Sequence, residues 1–251
     1  LLTAQRSVPL DVTSGSTLFD GSNDNLSIPG IAMGSGNYTL EFWFYANAVG
    51  TNYHLYDGRG TGPGNAYTLI TINTSNYLRF FTTGGFRITG STAISANTWN
   101  HVALERVGNI NTLYLNGVSE GTYDDGGNNY LSPSNNIGRI GSDDNGSGNF
   151  FNGYISNFRM VVGAYVYNGN FTVPTSALTA ITNTQILTCQ NSTGSITDAS
   201  SNNHTITANG GAAASTFAAQ VKVTDQSTSN HSIAINGNTR NAMNWPFNYN
   251  G

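Results

Sequence analysis

The sequence predicts an all-β protein: an antiparallel β-sandwich of jelly-roll type with β-hairpin repeats at its C-terminal end. Three observations predict it. Charged residues make up only 9% of the 251 residues, against about 25% in an ordinary globular domain, and strong helix formers are concentrated nowhere. Gly and Asn punctuate the chain at short intervals, and both tolerate the positive φ of tight turns. Between these corners, runs rich in Thr, Tyr, Phe and Ile alternate apolar with polar residues at the period of a strand. Apolar clusters recur along most of the length, which sets the chain apart from a disordered one.

The elements follow in order. Residues 1–14 read as a linker or the end of a preceding module, and strand-like runs begin near residue 16. In Tyr38 to Tyr45, Leu40, Phe42 and Phe44 share one face, while Glu41, Trp43 and Tyr45 share the other. A strand apolar on both faces belongs inside a sandwich, with one side under a loop. Ala66 to Ile72, Tyr77 to Thr82 and Thr98 to Val107 read the same way. Thr112 to Leu115 precedes Asn116-Gly117, a strong hairpin signal. Further strands are expected at Asn136 to Ile140 and Phe150 to Val162, with surface loops at Tyr123 to Ser134 and Gly141 to Gly148. The sandwich is bounded at 15–178, a hairpin unit that completes or follows it at 179–217, and a second, related hairpin unit at 218–251.

The two last units rest on an internal repeat. Residues 198–210 and 225–237 match at an offset of 27, with Asp198/Asp225, Ser200/Ser227, Asn203/Asn230, His204/His231, Ile206/Ile233, Asn209/Asn236 and Gly210/Gly237 identical. Each copy reads as an Asp-capped turn, a short strand and a tight Asn-Gly turn. Leu1-Leu2-Thr3-Ala4-Gln5 also echoes Ile186-Leu187-Thr188-Cys189-Gln190. Together with a first residue that is not Met, the echo suggests a piece of a modular parent.

Composition narrows the function classes. Net charge is −4, and eight Arg and one Lys are scattered singly, so the basic stripe of a nucleic-acid binder is missing. Apolar runs fall far short of the roughly 18 residues of a membrane span, and no membrane insertion is expected. Cys189 is the single cysteine, so it forms no intrachain disulfide and reads as a small buried hydrophobe.

Several segments resemble laminin-G-like and pentraxin-like domains of the concanavalin A-like superfamily, of the kind found in phage and bacterial surface proteins. Leu18 to Pro29 is similar to the family's opening strand and turn, and Tyr38 to Phe44 to its aromatic strand. Trp99-Asn100-His101-Val102-Ala103-Leu104-Glu105-Arg106, Leu113 to Val118 and Phe151 to Arg159 resemble three later motifs in the right order. The residues support the motifs independently: Asp20-Gly21 and Asn116-Gly117 are turn chemistry, and Trp43 and Trp99 are expected to fill the space between the sheets.

What the resemblance implies is binding, to carbohydrate or in adhesion, with a rim Ca²⁺ as the implied cofactor. Asp57 stands at the comparable place, and Asp143, Asp144 and Asn145 could complete an oxygen cage; Asp124-Asp125 is a weaker alternative. His204 and His231 recur with their units and read as capping or packing residues. For sugar, the loop candidates are Tyr53, Tyr56, Arg59, Tyr123 and Tyr130, because sugar rings stack on aromatic faces and hydroxyls need planar partners. No catalytic residue is expected: Glu41, Glu105 and Glu120 each lack a carboxylate two residues away, unlike the paired carboxylates of glycoside hydrolases.

The leading expectation is therefore a non-enzymatic recognition or adhesion module on a virion (a tail fibre or decoration) or a bacterial surface, touching cell-surface carbohydrate. The alternatives are a purely structural, self-assembling fibre or capsid-decoration subunit and, more weakly, a glycoside hydrolase. Expected partners are a glycan or a neighbouring structural protein, with a homo-oligomer or repeated module as the assembly and an extracellular location.

Overall fold

A computed structural model describes residues 14–59, 67–82, 84–131 and 136–219. The chain runs through β1 (Ser16–Asp20), β2 (Asn25–Pro29), β3 (Tyr38–Ala46), β4 (Tyr53–Asp57) and β5 (Leu69–Ile72). It continues through β6 (Tyr77–Thr82), β7 (Gly85–Ala93), β8 (Trp99–Val107), β9 (Ile110–Leu115) and β10 (Val118–Asp124). β11 (Ile137–Ile140), β12 (Asn152–Val162), β13 (Thr184–Thr188), β14 (Thr207–Asn209) and β15 (Ala213–Ser215) complete it. No helix is present among the described residues, and so none long and apolar enough to cross a membrane.

The strands form two antiparallel sheets. One has eight strands in the order β10-β9-β8-β3-β12-β1-β15, with β13 paired to the distal part of β12; the other has seven in the order β14-β2-β11-β4-β5-β6-β7. Period-2 alternation aims Leu40, Phe42 and Phe44 of β3 inward against Ile70 and Ile72 of β5, Leu78 and Phe80 of β6 and Phe158 of β12, all in one core. Phe42 and Phe158 stack at 5.5 Å. Asn116 and Gly117 carry φ of 52° and 80° between β9 and β10, the paired positive values of the two-residue hairpin turn expected there.

Three expectations are corrected. Trp43 and Trp99 do not lie between the sheets: if Phe42 and Phe44 face in, Trp43 must face out, and Trp99 stands opposite Tyr45 in register on that outer side. β7 was not foreseen, because only Ile88 and Gly90 of its nine residues are buried and no sustained apolar alternation marks it. The segment expected to make a hairpin after residue 179 does not make one. β14 pairs with β2 in one sheet and β15 with β1 in the other, so the segment straps the two sheets together at their common edge. The second unit, 218–251, lies outside the described residues apart from Ala218 and Ala219.

Candidate functional site

A sandwich has two outer faces, and here they differ in chemistry. On the eight-stranded sheet the outward side chains of β3, β8 and β12 include Glu41, His101, Glu105 and Arg159, all nearly or fully buried. What buries them is the return segment 163–183. The Glu105 carboxylate accepts hydrogen bonds from the backbone N–H groups of Val166, Tyr167 and Asn168 at 2.6–2.8 Å. Glu41 accepts from Arg159 Nε at 3.0 Å and from the Tyr167 hydroxyl, and lies 3.3 Å from His101 Nε2. Burial alone would raise the Glu41 carboxyl; the His101 bond, the Arg159 guanidinium and the Tyr167 hydroxyl outweigh it and hold it below the ordinary carboxylate range. Tyr167 and Phe171 stack at 3.5 Å over this network. Further along, Tyr45, Trp99 and Tyr154 form a cross-strand aromatic row, onto which Phe217 packs at 4.8–5.4 Å.

The outer face of the seven-stranded sheet carries no such cover among the described residues. β6 shows why it is chemically active: Leu78, Phe80 and Thr82 are buried, so Tyr77, Arg79 and Phe81 point outward and are half-buried. Register sets two rungs across the sheet, Asp57–Leu69–Phe81–Phe86 and His54–Thr71–Arg79–Thr89. At about 4.8 Å per strand, each rung spans roughly 14 Å. Tyr67 stacks on Phe81 at 5.8 Å, Phe81 meets Phe86 edge-on at 4.9 Å, and the Arg79 guanidinium lies 3.6 Å over the Phe86 ring. Phe86 is 44% exposed.

Polar groups flank this aromatic floor. Toward β2, Arg139 Nη1 donates to Asn25 Oδ1 at 3.0 Å and to the Ser27 hydroxyl, and Asn209 Nδ2 reaches the same two acceptors at 2.9 Å. Arg79 and Arg139 enter no ion pair among the described residues. Their Nε atoms, and the hydroxyl of buried Thr71 between His54 and Arg79, have no hydrogen-bond partner. An unpaired polar atom out of water costs about 1–3 kcal/mol, a cost this face carries at three positions.

The expected oxygen cage falls at the centre of this face, but it is built around an arginine. Fully buried Asp57 receives Arg59 Nε at 2.9 Å on both oxygens, Arg59 Nη2 at 2.5 Å, the Arg59 backbone N–H at 3.0 Å, and His54 Nδ1 at 3.1 Å. Burial pushes this carboxyl up, and the bonds to His54 and Arg59 overcome it and hold it low. The same Nη2 lies 3.4 Å from Asp144 Oδ1. Asp144 is raised, chiefly by burial, against the pull of Arg59. Asp143 turns to its own loop, accepting from the Ser147 N–H at 2.8 Å, and Asn145 is exposed. The donor set therefore does not fit a calcium ion as it stands: a monovalent cation of the chain fills the gap between Asp57 and Asp144. Among the described residues no group of three or more His, Cys, Asp or Glu is arranged to hold a metal. Asp125, the weaker candidate, is buried and bonded to Arg106 at 2.8 Å and Asn111 at 2.8 Å.

Of the sugar candidates, Arg59 lies on the open face, and three tyrosines must be corrected. Tyr53, Tyr56 and Tyr130 are 5%, 1% and 1% exposed and belong to the core; strand alternation turns Tyr53 inward, and a bulge between His54 and Tyr56 does the same for Tyr56. Tyr123 is half-buried on β10, away from this face, with Arg87 5.1 Å over its ring. Sequence reading missed Arg79, Phe81, Phe86, Tyr67 and Arg139. The signal was present in Tyr77-Leu78-Arg79-Phe80-Phe81, where two aromatics and an arginine share the face opposite the apolar one. A hollow of about 300 Å³ between the strap strands, lined by residues such as Ile196, Ile206 and Ala212, lacks both a ring and a charge.

Known proteins match this arrangement at the level of fold. A family profile described as the concanavalin A-like lectin/glucanases superfamily, Laminin_G_3, matches residues 20–165, more than half of the chain. No curated protein matches the sequence. Among solved structures, a Bacteroides ovatus protein described provisionally as carbohydrate binding superimposes with a TM-score of 0.60 at 18% identity, covering 80% of this chain. The match spans 59% of that protein's length. The native heptameric SAP-like pentraxin from Limulus polyphemus superimposes with a TM-score of 0.50 at 13% identity, covering 80% of this chain and 96% of the pentraxin.

Proposed function

The chain belongs to the concanavalin A-like lectin/glucanases superfamily as a laminin-G-like domain, and from that premise we propose that it is a non-catalytic carbohydrate-binding module of an extracellular surface. The observation that carries the reading is the outer face of the seven-stranded sheet, uncovered among the described residues, where Tyr67, Phe81 and Phe86 lie beside the Arg79 guanidinium. Aromatic faces give a sugar ring its stacking plane, and arginine and asparagine give its hydroxyls planar donors and acceptors. Arg59, held rigid by Asp57, and Arg139, held by Asn25 and Ser27, border the floor with donors whose directions are fixed before ligand arrives.

The carboxylates that a hydrolase of this fold would use do other work. Glu41 and Glu105 are sealed under the return segment they anchor, and Glu120 accepts from the N–H groups of Ser91 and Thr92, tying β10 to β7 across the other sandwich edge. The similar Bacteroides ovatus protein, described as carbohydrate binding, points the same way. A virion or bacterial surface, where low charge and abundant Asn and Thr suit an exposed particle, is the setting we assign.

A glycan array of neutral and acidic oligosaccharides, followed by calorimetry on the best binder, tests the reading. Phe81→Ala and Arg79→Ala should each weaken binding at least tenfold while the melting temperature stays close to that of the parent. Binding that survives both substitutions would move the site elsewhere, and an array without any binder would remove the proposal.

A further inference from the structure

The arginines of this chain divide by what neutralises them. Arg106 meets Asp125 at 2.8 Å, Arg159 meets Glu41, and Arg59 meets Asp57 and, at 3.4 Å, Asp144. Arg79 and Arg139 meet no carboxylate among the described residues. Arg79 Nη2 donates to Asn52 Oδ1 at 3.5 Å, and its guanidinium lies over the Phe86 ring. Arg139 Nη1 donates to Asn25 Oδ1 and to the Ser27 hydroxyl. Neutral oxygens orient a guanidinium and a ring face attracts it, but neither cancels its charge.

The carboxylates of the chain are engaged elsewhere. Of the thirteen acidic residues, only Asp11 and Asp225 lie outside the described residues. Glu105, Glu120 and Asp198 each accept from several backbone N–H groups. Asp20, Asp24, Asp124 and Asp143 accept from the backbone of their own turns, and the rest hold the three paired arginines. Net charge is −4, so two arginines without a carboxylate reflect placement and not a shortage of acid. Burial lowers both Arg59 and Arg79, but Asp57 and Asp144 carry Arg59 above its ordinary value while Arg79 stays below.

Register puts both arginines on the face that bears the aromatic floor. Ser27, Arg139, Asp57, Leu69, Phe81 and Phe86 form one rung across the sheet, and Arg79 stands two residues from Phe81 on β6. Three strand spacings separate β11 from β6, roughly 14 Å, a span that suits an extended oligosaccharide and exceeds a single sugar ring.

Resting on the carbohydrate reading of this face, we infer that its ligand is an anionic oligosaccharide, whose carboxylate or sulfate groups balance Arg79 and Arg139 while a neighbouring ring lies on the aromatic floor. Arg79 is the principal contact because it adjoins that floor, and Arg139 is the secondary one. Charge-assisted hydrogen bonds are stronger than neutral ones, and half-burial of both arginines weakens the screening that water imposes on such a pair.

Calorimetry on the full chain with matched ligands of equal length tests this: an oligouronate and its carboxyl-reduced counterpart, and a sulfated oligosaccharide and its desulfated counterpart. At least one acidic member should bind roughly tenfold or more tightly than its neutral counterpart, and the advantage should shrink as salt rises. The pair that shows it identifies carboxylate or sulfate as the group recognised. Arg79→Gln, which keeps planar donors and removes the charge, should bring the acidic member to the level of the neutral one without lowering neutral binding. Arg79→Lys should restore part of the preference, and Arg139→Gln should reduce it by a smaller factor. Neutral members that bind as tightly as acidic ones overturn the inference and leave the carbohydrate reading standing. Binding by none of the four also overturns it, and the glycan array then decides the carbohydrate reading separately. A preference that survives Arg79→Gln and Arg139→Gln together places the anion elsewhere and overturns it too. If Arg79→Gln does not fold, the matched pairs and the salt series on the parent decide the matter.

Discussion

The two outer faces of this sandwich are made from the same kind of strand and treated in opposite ways. On the eight-stranded sheet, β3 and β8 carry outward glutamates, and the chain folds residues 163–183 back over them, spending Glu41 and Glu105 on its own backbone and on Arg159, His101 and Tyr167. On the seven-stranded sheet, outward Arg79, Phe81 and Arg139 are left half-buried, and the two arginines enter no ion pair among the described residues. Buried, bonded carboxylates stabilise one structure; half-buried guanidinium groups that enter no ion pair among the described residues are what a partner could meet. The comparison separates residues that hold the fold from residues that could recognise something, although both kinds are polar groups on sheet faces.

The sealed face should give the largest effect. Arg159→Met strands the Glu41 carboxylate, and breaking a buried pair from one side costs about 3–5 kcal/mol. At roughly 2–4 °C per kcal/mol for a chain of this size, the melting temperature should fall on the order of 10 °C, read by calorimetry; a fall of a degree or two would show that the return segment does not seal the network. Acid should act in the same place. Glu41 and Asp57 have folded pKa values below their ordinary ones, so the stability they lend is present above the ordinary carboxylate range and is lost as pH falls through the lower folded values. Urea midpoints should therefore hold near neutrality and drop below about pH 4, and Glu41→Gln should flatten that drop.

Next comes the centre of the open face. Arg59→Ala removes the charged hydrogen bonds of Asp57, worth about 1.5–3 kcal/mol, and leaves Asp57 and Asp144 facing each other without a cation. The variant should melt lower and recover part of the loss in millimolar calcium, whereas the parent should melt at the same temperature with calcium or with a chelator. A parent that is stabilised by calcium would show that the guanidinium yields to a metal. Phe86→Ala should have the smallest effect on stability, within about 0.5 kcal/mol for a residue so exposed, while still weakening glycan binding in a titration.

Much of this fold is written locally. Alternation in Tyr38 to Tyr45 places Phe42 and Phe44 in the core, and Asn116-Gly117 makes its hairpin because both residues accept positive φ. Even the cover over one face of β3 is legible, since Glu41, Trp43 and Tyr45 make its second side partly apolar. The site was less legible. Asp57 reads as a loop carboxylate with acidic neighbours, and nothing local says that Arg59, two residues on, turns back to neutralise it. Tyr53, Tyr56 and Tyr130 look like loop aromatics, yet register and a bulge turn the first two inward and the Gly34–Tyr130 bridge pins the third. The strap needed both sheets at once: a thirteen-residue motif ending in Asn209-Gly210 can suggest a hairpin, but only the edges of β1 and β2 show that the strands either side of that turn, β14 and β15, part company.

Hydrogen–deuterium exchange with and without the best glycan binder tests the division between the faces most directly. Added glycan should slow exchange in β4 to β7, around residues 53–57, 69–72, 77–82 and 85–93, and leave β3, β8 and residues 163–183 unchanged. Protection that appears over the return segment instead, with β4 to β7 indifferent, would contradict the account.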